Sequence, residues 1–326
     1  MANYLLTGAA GFIAFRVAEF LLEAGHSVYG LDNLNNAYDV RLKQYRLERL
    51  KKSPNFHFRK DDISQRERIE AWIDWLPEDV DGVINLAARA GVRTSLTDPW
   101  VYVNTNTVGT LNLLELCRRK GIKKFVLAST SSLYAEASEP PFSETDDTDH
   151  PLQPYAASKK GAESLAHAYH YLYDIDVTVL RYFTVYGPAG RPDMVMFRFC
   201  QWIAEGKLVV INGDGEQSRG FTYLDDIARG TIQALRPVRF ATINLGGHEV
   251  ITINTLIKML EQRIGQRAQV TYAPFHPADV HTNQANVTRA AKILGWEPQI
   301  DLEEGVTRLV NWYMQERDWV SQVETP

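Results

Sequence analysis

The run Thr7-Gly8-Ala9-Ala10-Gly11-Phe12-Ile13-Ala14 follows a short β-rich segment, residues 4–6, and opens an amphipathic run over 11–24. Few local patterns constrain a fold more tightly. Gly8 permits a tight turn after the strand, and Gly11 lets the backbone approach a ligand at the start of the next helix. The N–H groups and dipole at such a helix terminus receive a pyrophosphate. Asp32 closes the second β run, 27–31. An acid there accepts from a ribose hydroxyl and repels a 2′-phosphate, which favours NAD over NADP. Arg41 and Arg46 have the sign that NADP would need, but they lie in a charged helical run, 41–51, and read as helix surface charge. Asp62-Ile63, after a third β run at 56–59, can edge the adenine.

The rest of the first half repeats the rhythm. Helical runs at 69–76, 106–120 and 156–172 alternate with β runs at 82–86, 124–129 and 177–181. Such alternation implies parallel strands joined by right-handed helical crossovers. The expectation is an α/β fold, a Rossmann-type doubly wound parallel sheet with a smaller C-terminal α/β substrate lobe. After Arg181 the rhythm breaks at Pro188, Gly190 and Pro192. Residues 1–182 are read as the NAD-binding domain, rejoined by about 222–250, where 225–235 is helical and 241–245 a candidate seventh strand. Residues 183–221 and 251–326 are read as the substrate lobe, with helices at 195–205, 255–264 and 302–314. Ligands of open α/β sheets sit beyond the carboxyl ends of the strands, where a second lobe covers them.

Charge narrows the partners. The 35 basic and 40 acidic residues leave a net charge of −5, without the basic excess of a nucleic-acid binder. Cys117 and Cys200, the two cysteines, fall in apolar helical runs and read as buried thiols, not a disulfide framework. No apolar run approaches the ~18 residues of a membrane span. The N-terminus lacks the basic region of a signal peptide. A cytoplasmic chain with no metal ligands is expected.

Asn85-Leu86-Ala87-Ala88, Tyr155-Ala156-Ala157-Ser158-Lys159 and the opening glycine turn together resemble the extended short-chain dehydrogenase/reductase family, over essentially the whole chain. Four further segments resemble the UDP-glucuronate 4-epimerases within it: 31–38, 90–95, 181–188 and 190–194. The resemblance extends the cofactor site to Phe12, Ile13, Asn33, Leu86, Ala87, Ala88 and Asn106. It leaves Asn106 open between fixing local backbone and capping a helix.

Tyr155 and Lys159, four apart at the start of a helix, share one face. A phenol with a pKa near ~10 is a poor base at neutral pH unless cations favour the phenolate. Lysine-assisted, Tyr155 can act as general base on a sugar hydroxyl. The family's pattern also sends Lys159 to the nicotinamide ribose and gives Thr130 the place of a proton-relaying hydroxyl. The reaction implied is oxidation at C4 of a UDP-sugar, rotation of the 4-keto sugar, and reduction from the other face. A 4-keto uronate is a β-keto acid and loses CO₂ when its C5–C6 bond aligns with the carbonyl. Ser131, Ser132, Thr184 and Arg191 are candidates to hold the carboxylate out of that alignment. The family's decarboxylases place a glutamate, and its dehydratases an Asp-Glu pair, where this chain has Ser132.

For the nucleotide, the resemblance points to Arg219 in 213–223 for the pyrophosphate and Asp279 in 274–279 for the ribose, with Arg93 in 90–95 a further substrate-binding candidate. Ala14, Arg89, Ala135, Ala189, Gly220 and His276 depart from the common family residues, and Asn85 stands where many members have His. Arg89 and His276 bear on which sugar is accepted. The readings carried forward are a UDP-glucuronate 4-epimerase, a decarboxylase or neutral UDP-hexose 4-epimerase of the same family, and a non-catalytic NAD-binding module. The family pattern also implies a homodimer through the helices at 106–120 and 156–172, where Leu116, Leu165 and Tyr169 would suit either an interface or an internal core.

Overall fold

The computed structural model describes residues 1–134, 139–274 and 282–325. The chain opens with β1 (Asn3–Thr7), α1 (Phe12–Glu23), β2 (Ser27–Asp32), α2 (Val40–Leu50), β3 (Phe56–Lys60), α3 (Ile69–Trp75) and β4 (Gly82–Asn85). A long helical stretch follows. It begins as α4 (Pro99–Tyr102), passes through a π-helical turn at Val103–Val108, and continues as α5 (Gly109–Lys120). Then come β5 (Lys124–Thr130), α6 (Pro154–Tyr173) and β6 (Asp176–Tyr182). After β7 (Thr184–Tyr186), α7 (Val195–Ala204), β8 (Leu208–Asn212), β9 (Ser218–Tyr223) and α8 (Leu224–Gln233), the chain returns through β10 (Phe240–Leu245).

The main sheet has the order β3-β2-β1-β4-β5-β6-β10, with every pairing parallel. Neighbouring residues of its strands point to opposite faces, and both faces are apolar. Leu6, Ile84, Val126 and Leu180 meet α1, α2 and α8 on one side. Leu5, Val83, Phe125 and Val179 meet Trp72 of α3, Leu113 of α5 and Ala162 of α6 on the other. Burial on both faces is what a parallel sheet wrapped by helices requires. Leu116 is fully buried in this second core, and Leu165 and Tyr169 pack against it. Leu116 therefore serves the interior of the chain, while Leu165 and Tyr169 are half-buried and lie near the exposed Trp100, Val103, Tyr171 and Leu172.

The smaller part contains a three-stranded sheet, β11 (Glu249–Thr252) beside β9 beside β7, and the pair β8 with β12 (Gln269–Ala273). α7, α9 (Ile253–Ile264) and α11 (Leu302–Gln315) enclose a separate core around Phe197, Leu256 and Val306. The chain also revisits the main sheet at α10 (Thr288–Leu294), whose Ala290 and Leu294 join Ile243 and Leu245. Both cysteines are buried and free. Among the described residues no helix is long and apolar enough to cross a membrane, and no group of three or more His, Cys, Asp or Glu could hold a metal.

The order reverses between β1 and β4, so the crevice of a doubly wound sheet opens above their carboxyl ends. Thr7 and Asn85 face one another there. Thr7 donates its hydroxyl to Asn85 Oδ1 at 2.7 Å, and Asn85 Nδ2 donates to Thr110 at 3.1 Å. This buried polar chain fixes the floor of the crevice from α5.

Candidate active site

The glycine turn stands at that switch point. Gly8 is left-handed at φ +69, and a Cβ there would lie 2.9 Å from the Ala87 backbone after β4. The Gly11 N–H donates to the Gly8 carbonyl at 2.6 Å, and a Cβ on Gly11 would meet that same oxygen at 2.7 Å. Both positions therefore exclude a side chain. No side chain caps the N-terminus of α1. Its N–H groups and positive dipole end are left to an anion held in the crevice. Ala14 is buried in the core under α1, so the methyl that departs from the family's glycine is packed, not strained.

Asp32 is nearly buried at the end of β2. Its carboxylate accepts from Ala10 N–H at 3.1 Å and Leu34 N–H at 2.7 Å, joining its own loop to the glycine turn. Asn33 Nδ2 donates to Asp62 Oδ2 at 2.8 Å, so these two sequence candidates meet at one edge. Ile63 is buried, and its carbonyl accepts from Asn112 at 2.8 Å. Phe12 is buried, while Ile13, Leu86, Ala87 and Ala88 are half-buried along the turn and its rim. A bare helix N-terminus, an excluded-Cβ turn and a carboxylate at the end of β2 together fit a dinucleotide with an unphosphorylated adenine ribose.

Asn106 does not cap a helix. The helical stretch begins at Pro99, and Asn106 lies inside the π-helical turn. Its Oδ1 accepts from Arg89 N–H at 2.8 Å, and its Nδ2 donates to the Arg89 carbonyl at 3.0 Å and to Ser158 Oγ at 2.9 Å. The local backbone is what it fixes, tying the strand end to α6. Arg46 is not surface charge either. It is fully buried, and among the described residues its hydrogen bonds go to neutral oxygens.

Tyr155 and Lys159 lie one turn apart in α6. Lys159 Nζ donates to the Ala128 carbonyl at 2.8 Å. Burial lowers its pKa to about 8, against the raising effect of the Glu163 carboxylate one turn on. The Tyr155 ring meets Tyr102 edge-on, with centroids 6.0 Å apart. Burial raises the pKa of the phenol; a hydrogen bond shared with Thr130 and the charge of Arg191 lower it. The cation that favours the phenolate here is thus a guanidinium, where the sequence pointed to the Lys159 ammonium, whose hydrogen bond goes to Ala128 instead.

Thr130 ends β5, and its Oγ1 lies 3.1 Å from Ser132 Oγ. Ser131 accepts from Asn283 Nδ2 at 3.2 Å. Arg191 pairs with Asp193 through Nε at 3.0 Å and Nη2 at 2.5 Å. Thr184 opens β7 and is in register with Phe221 of β9, two residues beyond Arg219. The structure therefore gathers Tyr155, Thr130, Ser132 and Arg191 at one end, with Thr184 and Arg219 on one small sheet. Arg93 stands on an exposed turn. Asp279 and His276 lie outside the described residues.

Sequence reasoning missed the pair that braces this end. Glu163 Oε1 accepts from Ser129 Oγ at 2.5 Å and from Arg181 Nε at 3.0 Å, while Arg181 Nη2 donates to Oε2 at 2.8 Å. Arg181 Nη1 also donates to Tyr134 OH at 3.0 Å. The signal was available: Glu163 continues the Tyr155, Lys159 stripe at another four residues. Asn283 was missed as well, because its approach to Ser131 spans 152 positions.

The fold, and a tyrosine and lysine paired beside a dinucleotide crevice, define a class: the extended short-chain dehydrogenases/reductases. Within it, the family described as GDP-mannose 4,6 dehydratase matches residues 5–309, and the chain belongs to that family. A UDP-glucuronate 4-epimerase of Thermodesulfobacterium geofontis is 54% identical over 325 residues, covering 99% of this chain and 100% of that one. Among solved structures, the UDP-glucuronic acid 4-epimerase of Bacillus cereus in complex with UDP-glucuronic acid and NAD superposes with a TM-score of 0.89 at 36% identity, over 96% of this chain and 99% of that one. The UDP-glucose 4-epimerase of Thermotoga maritima, solved with UDP-glucose, also reaches 0.89, at 33% identity, over 97% and 99%. The backbone is shared by relatives acting on acidic and on neutral sugars, so the choice of sugar rests on side chains.

Proposed function

We propose that this chain is an NAD-dependent UDP-glucuronate 4-epimerase, interconverting UDP-glucuronate and UDP-galacturonate through a 4-keto sugar. The observation that carries the choice of an acidic sugar is the donor set at this end: the Ser131, Ser132 and Thr184 hydroxyls with an Arg191 guanidinium oriented by Asp193. Arg191, paired with Asp193, is the cation assigned to the C6 carboxylate, and Tyr155 the base assigned to the O4 proton. Full-length similarity to a UDP-glucuronate 4-epimerase supports the same reading.

NAD bound in the crevice supplies reversible oxidation at the sugar C4. Asp32 holds the adenine ribose and Lys159 the nicotinamide ribose; one Lys159 donor is already directed to Ala128 and two remain. Tyr155 takes the O4 proton and returns it to the inverted hydroxyl, with Thr130 relaying between phenol and sugar. Arg191, Ser131, Ser132 and Thr184 hold the carboxylate so that C5–C6 stays out of line with the C4 carbonyl. A neutral Ser132, in place of a family acid, leaves nothing there to remove a C5 proton. Arg219 and Asp279 serve the UDP, and Arg93 is a further substrate contact. Residues 1–182 with about 222–250, and the returning α10, form the cofactor part; 183–221 and most of 251–326 form the substrate part.

Purified protein given UDP-glucuronate should yield UDP-galacturonate by NMR, with no net change in NAD. Release of CO₂ with a UDP-pentose identifies a decarboxylase instead, exclusive turnover of a neutral UDP-hexose identifies a hexose epimerase, and no turnover leaves a binding module. A homodimer is part of the same proposal, formed through the α4–α5 stretch and α6, where Trp100 is 76% and Tyr171 81% exposed. Light scattering should give twice the chain mass of 37.0 kDa; a single-chain mass at micromolar concentration removes this part of the proposal.

A further inference from the structure

Arg46 of α2 is 0% exposed, and among the described residues its guanidinium hydrogen-bonds to no carboxylate. It donates through Nε to the Ala189 carbonyl at 3.0 Å, through Nη2 to the carbonyls of Ala189 and Gly190 at 2.6 and 3.1 Å, and through Nη1 to the Ala10 carbonyl at 3.0 Å and Tyr38 OH at 2.8 Å. One planar group thus bridges the dinucleotide turn and the loop that carries Arg191, 143 positions away. That loop is in an uncommon conformation. Ala189 is left-handed at φ +52 and almost wholly buried. An alanine stays in that region only where its surroundings hold it.

A fold that needed only filled space would be served by an apolar side chain at position 46. Burying an unpaired cation is costly, and what it gains here is geometric definition. Arg191 follows Gly190 directly, so the carbonyls that Arg46 grips set where the Arg191 backbone starts. A guanidinium fork fixes direction as well as distance, which an ammonium does not.

We propose that Arg46 is a positioning residue for uronate selection: it locks the Ala189-Gly190 loop to the cofactor turn and so sets the place of the Arg191 guanidinium relative to Tyr155. This rests on the role proposed above for Arg191. Arg46 touches neither reacting atom; it acts through its neighbour.

The test compares wild type, Arg46→Lys, Arg46→Met and Arg191→Ala, each purified with its NAD content measured. The readouts are kcat and KM for UDP-glucuronate, the fraction of product appearing as CO₂ and UDP-pentose, and binding of UDP-glucuronate, UDP-glucose and UDP by calorimetry. Arg46→Lys and Arg46→Met should lower kcat/KM for the uronate roughly ten- to a hundredfold, the scale set by small misplacements of a bound substrate. The preference for uronate over hexose should shrink about tenfold and the decarboxylated fraction should rise, with UDP affinity within about twofold of wild type. In an Arg191→Ala background, the Arg46 substitution should change selectivity no further. Ala189→Gly, which relaxes the loop and keeps Arg46, should show the same signature more weakly, and it reports even where a position-46 variant folds poorly. A uniform loss of activity at unchanged selectivity and product ratio, or full additivity with Arg191→Ala, overturns the proposal and leaves Arg46 as a structural staple. A wild type without preference for the uronate overturns the underlying reading of Arg191, and is seen before any variant is compared.

Discussion

Tyr155→Phe should lower turnover by about 10³-fold or more while the purified protein keeps its NAD. The change removes one oxygen. The ring remains, and with it the edge-on contact with Tyr102. Nothing in the glycine turn, Asp32 or Lys159 depends on the phenol, so the cofactor crevice should be undisturbed. What disappears is the group through which Thr130 and Arg191 act. Burial raises the pKa of this phenol, and the two polar neighbours work against that. The net shift is upward, so these surroundings hold the phenol neutral, and the further positive charge that an oxidised nicotinamide would bring is needed before it acts as a base. Because Tyr155 must be deprotonated to act and burial favours the neutral phenol, kcat/KM on the acid limb should rise with pH. That limb should be missing from any residual activity of the Phe variant. Activity within tenfold of wild type would assign the proton transfer to another residue.

The same phenol shows what a chain discloses about itself and what it hides. The tyrosine and lysine four apart, and the glycines three apart, are local patterns, so each could be read from neighbours in sequence. The strands of the main sheet were equally legible, because residues such as Leu5 and Leu6 form unbroken apolar runs with turns at both ends. The small sheet was not: β7 has three residues and β11 four, and both are defined by partners in β9 far along the chain. Arg46 was misread for the same reason. Its helix carries many charges, and this one is held inward by carbonyls of residues 10, 189 and 190 and by Tyr38 OH. Asn106 was misplaced because a π-helical turn continues the helix from Pro99 past it. Insertions of that kind leave little mark on periodicity and recur at functional sites. The ionic brace of Glu163 with Arg181 joins α6 to β6, a contact that neither local pattern specifies.

Lys159→Met should abolish epimerisation, by about 10³-fold, and at the same time stabilise the folded protein near neutral pH. The two effects have one cause. Lys159 is 3% exposed, and burial brings its pKa to about 8. A lysine in an unfolded chain titrates near ~10.4. Below about pH 8 both states carry the proton, and the folded state bears the full penalty of a buried ammonium. Between about 8 and 10.4 the unfolded chain holds more protons than the native one, so the stability of the wild type rises with pH across that window. The gap corresponds to roughly 3 kcal/mol, of which the hydrogen bond to Ala128 returns about 1 kcal/mol. Methionine fills similar space without charge. For proteins freed of NAD, the variant should therefore melt about 2–4 °C higher than wild type at pH 7. The difference should close as pH approaches 10. A residue kept for packing would behave oppositely, with Tm falling on substitution at every pH. Lower stability at pH 7 together with a flat pH response would mean that Lys159 holds the fold and does not serve the chemistry.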